Sequence, residues 1–186
     1  MEKTVNVIGA GLAGCEAAYK IKKRGIKVKL YEMKPKKFSP AHSDENLAEI
    51  VCSNSFKSNL KSNACGLLKE ELRMLDSLLI RIADETRVPA GQALAVDREE
   101  FSRRVTEEIE KNNNIEIVRE EVCKINQDEL TIIATGPLTS DALFEEIKQI
   151  INIDSLYFYD AAAPIIDKES IDMNIAFFVD RYGKGD

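Results

Sequence analysis

The sequence has few of the residues that bind metal ions or form disulfides. His42 is its only histidine, and its four cysteines, Cys15, Cys52, Cys65 and Cys123, have no CxxC spacing. Structural zinc sites need clusters of such ligands, and disulfide frameworks belong mainly to small secreted proteins. We therefore expect no metal site and no structural disulfide.

Long apolar runs are also missing. A membrane-spanning helix needs about 20 mostly apolar residues, whereas the apolar stretch at residues 4–8 is short and runs directly into a glycine turn. No small-residue cleavage site follows it, so we interpret it as a buried strand and not as a signal peptide. We expect a cytoplasmic protein without membrane contact. With 186 residues, 44% of them hydrophobic, the chain can bury one core and form one domain or part of one.

The formal net charge of −6 is unevenly distributed. Residues 1–90 contain 16 Lys and Arg against 11 Asp and Glu, whereas residues 91–186 contain 10 against 21. One interpretation of the basic half is a surface that faces a polyanion, and the other is an ordinary solvated face. The sequence leaves both open.

A glycine-rich turn near the N-terminus carries the strongest functional signal. It follows the apolar run at residues 4–8 and precedes an alanine-rich helix pattern. In such a GxGxxG turn the first glycine permits the sharp bend, the second lets the backbone approach a pyrophosphate, and the third lets the helix pack on the strand. The N–H groups at the start of the helix attract phosphate. We predict that a dinucleotide is bound by Gly9, Ala10, Gly11, Leu12, Ala13 and Gly14.

An acidic residue stands where this class of fold recognises a ribose. Glu32 directly follows the second strand pattern, Lys27–Tyr31. An acid at this spacing binds the hydroxyls of an adenosine ribose, and a glutamate instead of a basic residue favours an unphosphorylated ribose. FAD or NAD therefore fits better than NADP.

A second small-residue motif favours FAD over NAD. The apolar run at residues 130–133 ends in Ala134-Thr135-Gly136, a frequent companion of the glycine turn in two-domain flavoproteins, where the chain passes close to the cofactor. We predict that Thr135 and Gly136 lie beside FAD. We also predict that Val122 offers backbone hydrogen bonds to the adenine.

Strand and helix patterns alternate along most of the chain, which predicts a doubly wound, Rossmann-like parallel α/β sheet. One core-facing helix is predicted by residues that recur at helical spacing, Leu67, Leu68, Leu72, Leu75, Leu79 and Ile82. Asp97 with Glu100 predicts a capping box for a second core-facing helix, which carries Phe101, Val105 and Ile109 on one face. The predicted strands are residues 5–8, 27–31, 115–118, 130–134 and 156–159, and further helices cover residues 12–24, start near residue 98, and start after Thr139 or Ser140.

The segment 33–64 interrupts this alternation. It is polar, rich in Ser and Asn, and far longer than an ordinary connection, which indicates a functional or disordered loop. Within it, Cys52 precedes Ser53-Asn54-Ser55, so a thiol lies among small hydrogen-bonding side chains. From the residues alone Cys52 is either a plain small hydrophobe or a catalytic thiol.

Several motifs together closely resemble the family of bacterial folate- and FAD-dependent tRNA (uracil-5-)-methyltransferases, TrmFO. The resemblance runs from end to end of the chain. It rests on the glycine turn through Ala18, Leu30 to Pro35, Val51 to Ser55, Val88 to Gly91, Ala95 to Arg98, Ala134 to Ser140, and Tyr159 to Pro164.

The resemblance implies an enzyme that forms 5-methyluridine in the T-loop of tRNA. FAD would be the cofactor, NADPH or NADH and 5,10-methylenetetrahydrofolate the co-substrates, and tRNA the substrate. Residues 1–186 would be the FAD-binding domain of a two-dinucleotide-binding flavoprotein, with 33–64 as a functional loop. Cys52 matches the first of two family cysteines and would act as a covalent or acid/base thiol near the isoalloxazine; the second cysteine has no counterpart.

Family members are more than twice as long as this chain. The resemblance therefore implies an FAD domain that is incomplete at its C-terminus, without the inserted domain and the return segment, and inactive as an isolated fragment. Two other interpretations remain: a non-catalytic FAD- or tRNA-binding remnant, and a flavin-dependent thiol oxidoreductase.

Overall fold

A computed structural model describes residues 3–152 and 168–176 and shows two sheets with five α-helices. The longest insertion in the main sheet lies between its second and third strands along the chain. The elements are β1 (Thr4–Ile8), α1 (Leu12–Lys22), β2 (Lys27–Tyr31), β3 (Ser55–Ser58), α2 (Ala64–Met74), α3 (Leu78–Glu85), β4 (Arg87–Val88), β5 (Ala93–Val96), α4 (Arg98–Glu110), β6 (Ile115–Val118), β7 (Thr131–Ile133) and α5 (Asp141–Ile151).

The main sheet is parallel throughout, with the strand order β6-β2-β1-β7. Val7 of β1 lies opposite Leu30 of β2 on one side and Ile132 of β7 on the other. The order of the strands reverses at β1, which is the arrangement of a doubly wound sheet and places a ligand crevice beyond the carboxyl ends of its strands. The predicted Rossmann-like fold is confirmed.

The core forms where the main sheet meets α1, α3 and α4. Tyr19 and Cys15 of α1 are buried toward it, and the ring of Phe101 on α4 packs against Phe56 with 5.4 Å between ring centroids. Apolar positions alternate with charged ones in β2, as expected for a strand with one covered face. The most deeply buried side chains include Val7, Val28, Leu30, Leu78, Ile82, Leu94, Val96, Phe101, Val105 and Ile109.

Two glycines allow three segments to cross in contact. Gly9 has a φ of +94°, and a Cβ there would lie 2.9 Å from the carbonyl oxygen of Ala134. A Cβ on Gly14 would lie 1.8 Å from the carbonyl oxygen of Gly9. The end of β1, the first turn of α1 and the segment after β7 can therefore approach one another only without side chains at these positions.

A second sheet, β3-β5-β4, is antiparallel and was not predicted. Its strands have only two to four residues, and β3 contains an irregularity between Ser55 and Ser58. Such short runs show no sustained alternation of apolar and polar residues, which is the signal that predicts a strand. Through β3, the later part of the segment 33–64 is hydrogen-bonded to β5.

The leucine-rich stretch forms two helices with different environments. The chain turns between them at Asp76, which has a φ of +57°. In α3, Leu78 and Ile82 are fully buried, so this helix faces the core as predicted. In α2 the prediction is wrong, because Leu67 and Leu68 are 50% and 55% exposed. Helical spacing predicts an apolar stripe but does not determine which side of the domain receives it.

The predicted starts of α4 and α5 agree with the structure, whereas the predicted caps form only in part. The Asp97 side chain accepts a hydrogen bond from the Glu100 N–H at 3.0 Å, as a capping box requires. The carboxylate of Glu100 pairs with Arg103 and Arg104 instead of returning to residue 97. Ser140 is the N-cap residue of α5 but makes no side-chain cap. The predicted strand 156–159 and the motif 159–164 lie outside the described residues.

No helix in residues 3–152 and 168–176 has the length and apolar character needed to cross a membrane.

We predict that Gly14→Ala destabilises the protein by about 3 kcal/mol, because its new Cβ meets a backbone carbonyl that cannot move freely. Gly11→Ala is the matched control: its Cβ has no atom within 4 Å and should cost less than about 1 kcal/mol as a weaker N-cap. Urea unfolding of both variants tests this, and equal losses of stability would contradict it.

Candidate functional site

An open cleft lies at the carboxyl ends of β1 and β2. Its walls come from four separate parts of the chain, which the parallel topology brings to one edge of the sheet. These are the end of β1 with the glycine turn, the loop that follows β2, residues 120–122 after β6, and residues 134–143 around the start of α5.

The glycine turn presents an open helix N-terminus to this cleft. Gly11 is the N-cap of α1, and neither a side-chain cap nor an acidic residue occupies the first turn. The first N–H groups of a helix have no partners within the helix, and they carry the positive end of its dipole. Open space at Gly11 lets an anionic group approach these donors. The site therefore fits a diphosphate.

Glu32 is fixed beside the turn. Its side chain is buried, and its carboxylate accepts hydrogen bonds from the backbone N–H of Ala10 at 3.2 Å and of Lys34 at 3.0 Å. A carboxylate has about four acceptor positions, so two backbone donors leave it free to accept further bonds. Glu32 lines the cleft, where ribose hydroxyls can supply the remaining donors.

Thr135 and Val122 line the other walls. The hydroxyl of Thr139 donates to the carbonyl oxygen of Gly136 at 2.8 Å, so Thr135 is the donor in the 2.5 Å bond between the two threonine hydroxyls. Its own oxygen keeps acceptor capacity toward the cleft. Gly136 is exposed and begins a short 3₁₀ helix, Gly136–Leu138.

A buried lysine organises the loop after β2. The ammonium of Lys34 donates to the carbonyl oxygens of Asp44 and Asn46, each at 2.7 Å, and to the carboxylate of Glu49 at 3.0 Å. Glu49 also accepts the N–H of Ser43. Partial burial alone would raise the pKa of Glu49, but the Ser43 N–H and the Lys34 ammonium lower it below its ordinary value.

The loop is also tied to the rest of the domain. The N–H of Ala48 donates to the carbonyl oxygen of Ala10 in the glycine turn at 2.9 Å. The N–H of Leu47 donates to the Thr106 hydroxyl on α4 at 2.9 Å, and Arg119 donates to the carbonyl of Glu45 at 2.9 Å. A segment that shows no regular pattern in the sequence thus has a defined path along the cleft.

Residue type and spacing provide little reason to place His42 and Ser39 in the cleft, yet both residues line it. The Ser39 hydroxyl lies 2.5 Å from Nδ1 of His42. Burial and the nearby Lys34 charge lower the pKa of His42 below its ordinary value. These residues follow Pro35 and lie in a loop without periodicity, so only the polar character of the loop hinted at a function.

Cys52 lies on a short segment held at both ends. Ala48 is fixed to the glycine turn. The N–H of Val96 on β5 donates to the carbonyl oxygen of Asn54 at 2.9 Å, and the side-chain amide of Asn54 donates to the carbonyl oxygen of Val96 at 3.2 Å. Four residues of chain bring Cys52 within about 14 Å of Ala48. Its side chain is exposed and is not part of the cleft wall. Cys52 is therefore not part of the packed core.

The other cysteines have different environments. Cys15 is completely buried, its thiol donates to the carbonyl oxygen of Ala10 at 3.2 Å, and burial together with the nearby Glu32 raises its pKa well above the ordinary value. It is packed between strand and helix, as expected. Cys65 is half-buried in α2, and Cys123 is exposed.

The structure thus brings together six of the predicted cofactor-binding residues and sets the others around them. Leu12, Ala13 and Gly14 form the first turn of α1 and do not line the cleft. Gly136 directly follows the lining residue Thr135, and Cys52 lies on the loop after β2. The six that line the cleft are Gly9, Ala10, Gly11, Glu32, Val122 and Thr135.

The fold and the cleft define a Rossmann-like domain of the class that binds dinucleotides. The chain belongs to the family described as Glucose inhibited division protein A, whose model matches residues 4–186. A solved structure titled as Aquifex aeolicus GidA in its form II crystal is similar in fold, with a TM-score of 0.58 and 17% identity over 73% of this chain and 25% of that one.

Similar proteins of known name confirm the resemblance drawn from the motifs. A Fusobacterium nucleatum protein named methylenetetrahydrofolate–tRNA-(uracil-5-)-methyltransferase TrmFO is 63% identical over 186 residues, 100% of this chain and 43% of that protein. A protein of the same name from Acetivibrio thermocellus is 60% identical over 97% of this chain and 42% of its own length. The chain spans less than half the length of these relatives.

We predict that Glu49→Gln lowers the free energy of unfolding by about 3 kcal/mol at pH 7, because it leaves the buried Lys34 ammonium without its anionic partner. The pKa of Glu49 is depressed in the folded protein, so its contribution is present above the ordinary pKa and disappears as the pH falls through the folded one. The gap between wild type and variant should therefore close in acid.

Urea unfolding at several pH values measures this gap. Glu45→Gln changes an exposed glutamate in the same loop and should alter stability by less than about 0.5 kcal/mol. A gap for Glu49→Gln that stays constant down to the most acidic pH tested would contradict the assignment.

Proposed function

We propose that the cleft binds FAD, with the glycine turn holding the diphosphate and Glu32 holding the adenosine ribose. The observation that carries this proposal is the open N-terminus of α1 next to a carboxylate that the backbone fixes in place. Thr135 and Val122 form the opposite walls of the same cleft, in support of contacts to the rest of the adenosine and to the diphosphate.

Among residues 3–152 and 168–176, Lys34 is the only Lys or Arg that lines the cleft, which favours an unphosphorylated dinucleotide. Lys34, the lysine nearest to Glu32 in sequence, directs its ammonium into the loop and away from a ligand phosphate. A 2′-phosphate would meet the Glu32 carboxylate instead. FAD, when bound, supplies the hydride chemistry that a methyl transfer from a methylene donor requires.

We propose further that the chain is the N-terminal FAD-binding part of a methyltransferase. The enzyme would use methylenetetrahydrofolate and NADPH or NADH to form 5-methyluridine in the tRNA T-loop, in the cytoplasm. Support comes from relatives whose names state a methylenetetrahydrofolate-dependent transfer to uracil C5 of tRNA.

The position of Cys52 suits a thiol that acts on a large substrate. C5 of uracil is a weak nucleophile until a thiolate adds at C6, so the reaction needs a thiol that can reach the base. Cys52 is exposed, and its segment is fixed to the glycine turn through Ala48 and to β5 through Asn54. We assign it the covalent or acid/base role, with residues 33–64 as the functional loop.

We predict that Gly11→Ala weakens FAD binding at least tenfold, because its methyl group occupies the space through which the diphosphate approaches the helix. Glu32→Gln should weaken binding through loss of the charged acceptor. Glu45→Gln alters an exposed glutamate outside the cleft wall and should leave the affinity unchanged. Flavin fluorescence titration measures all three, and wild-type affinity in Gly11→Ala would contradict the site.

We predict that Cys52→Ala abolishes methylation while FAD binding persists. The assay uses a chimera in which this chain replaces the matching segment of the Fusobacterium nucleatum relative, supplied with FAD, NADPH, methylenetetrahydrofolate and unmodified tRNA. Cys123→Ala, at another exposed cysteine, is the control and should keep full activity.

Undiminished methylation by Cys52→Ala would refute the role of the thiol. NADPH consumption that needs neither folate nor tRNA would favour a thiol oxidoreductase. Protein that carries no flavin but binds tRNA at low salt would favour a non-catalytic remnant.

A further inference from the structure

We propose that His42 is a further ligand-binding residue: its Nε2–H donates a hydrogen bond to an oxygen of the adenosine half of the bound dinucleotide, and Ser39 sets the tautomer that allows this. The proposal rests on the proposed dinucleotide site and adds to it a contact that the GxGxxG motif does not predict.

The position of His42 supports a direct contact. It lines the same cleft as Glu32 and the glycine turn. The charged groups that act on its ring are Lys34, Glu49 and Glu32, and all three line the same cleft. The loop that carries it is tied to the carbonyl of Ala10 through Ala48, so the imidazole and the glycine turn belong to one connected wall.

The contact with Ser39 bears on which ring nitrogen of His42 carries the proton. The Ser39 oxygen accepts the N–H of Ala41 at 3.3 Å and lies 2.5 Å from Nδ1 of His42. A hydroxyl has a single hydrogen and two acceptor positions, so beside the Ala41 bond it can either donate to Nδ1 or accept from it. We assign it the donor role, in which Nδ1 is an acceptor and the proton of the neutral ring lies on Nε2.

In this tautomer Nε2 is a donor, and no partner for it lies among the described residues. Within residues 3–152 and 168–176, His42 Nε2 has no protein hydrogen-bond partner, whereas Nδ1 has one in Ser39. Burial and the Lys34 charge keep the ring neutral near neutral pH by lowering its pKa. A neutral donor beside Glu32 suits the uncharged or weakly basic oxygens of a ribose and its adjoining phosphate.

A nuclear magnetic resonance experiment tests the tautomer without any variant. His42 is the only histidine, so untagged protein labelled with ¹⁵N-histidine gives a single pair of ring nitrogen signals. At pH 7.5 we expect a protonated Nε2 and an unprotonated Nδ1. Added ADP, which contains the adenosine half alone, should shift Nε2 more than Nδ1, and Ser39→Ala should give a mixture of tautomers.

Affinity measurements test the contact itself. His42→Ala should weaken ADP and FAD binding about fivefold to tenfold, as expected for one hydrogen bond. His42→Gln places an amide donor near the position of Nε2 and should restore most of the loss, while binding of FMN, which lacks the adenosine half, should not respond to either change.

The possible failures are distinguishable. Wild-type affinity of His42→Ala for ADP, or an Nε2 signal that ADP leaves unmoved, would overturn the role of His42 while Gly11→Ala still identified the cleft. Wild-type protein that binds neither ADP nor FAD would overturn the dinucleotide site, and this proposal with it.

Discussion

The contact between the backbone of Gly14 and the carbonyl oxygen of Gly9 is the constraint on which the site depends. It holds the first turn of α1 against the end of β1, and Gly9 in turn allows Ala134 and Thr135 to pass at van der Waals distance. Any side chain at these two positions would separate the segments. The cleft therefore owes its shape to backbone packing, and the open space at Gly11 is what remains when the three segments are in contact.

A second layer of order comes from Lys34. The backbone N–H of this residue donates to Glu32 at the proposed ribose position. Its ammonium donates to two carbonyl oxygens of the loop and to Glu49. One residue thus links the predicted cofactor carboxylate to the loop that carries His42 and leads to Cys52. A loop of this length usually lacks a defined structure, and this buried charge with all its donors satisfied explains why this one has it.

The parts of the fold that follow from local patterns were predictable. The β1-α1-β2 unit, Glu32 and the core face of α4 each depend on residues close in sequence, and the structure has them within one or two residues of the expected bounds. The antiparallel sheet was not, because strands of two to four residues carry no period. The outward face of α2 was not either, since Leu67 and Leu68 have the spacing of a buried stripe. The positions of His42 and Lys34 were not predicted either, because both depend on hydrogen bonds within an irregular loop, for which residue type gives no signal.

The two backbone N–H groups that hold Glu32 have a consequence for affinity. A free glutamate side chain loses rotamer freedom when a ligand immobilises it, at a cost of about 0.5–1.5 kcal/mol. In this chain Ala10 and Lys34 already restrict the carboxylate, so that entropy is lost when the domain folds and not when a ligand binds. In the proposed site, recognition of the ribose then approaches a lock-and-key process, and selectivity against a phosphorylated sugar comes from a carboxylate that two backbone hydrogen bonds hold in place.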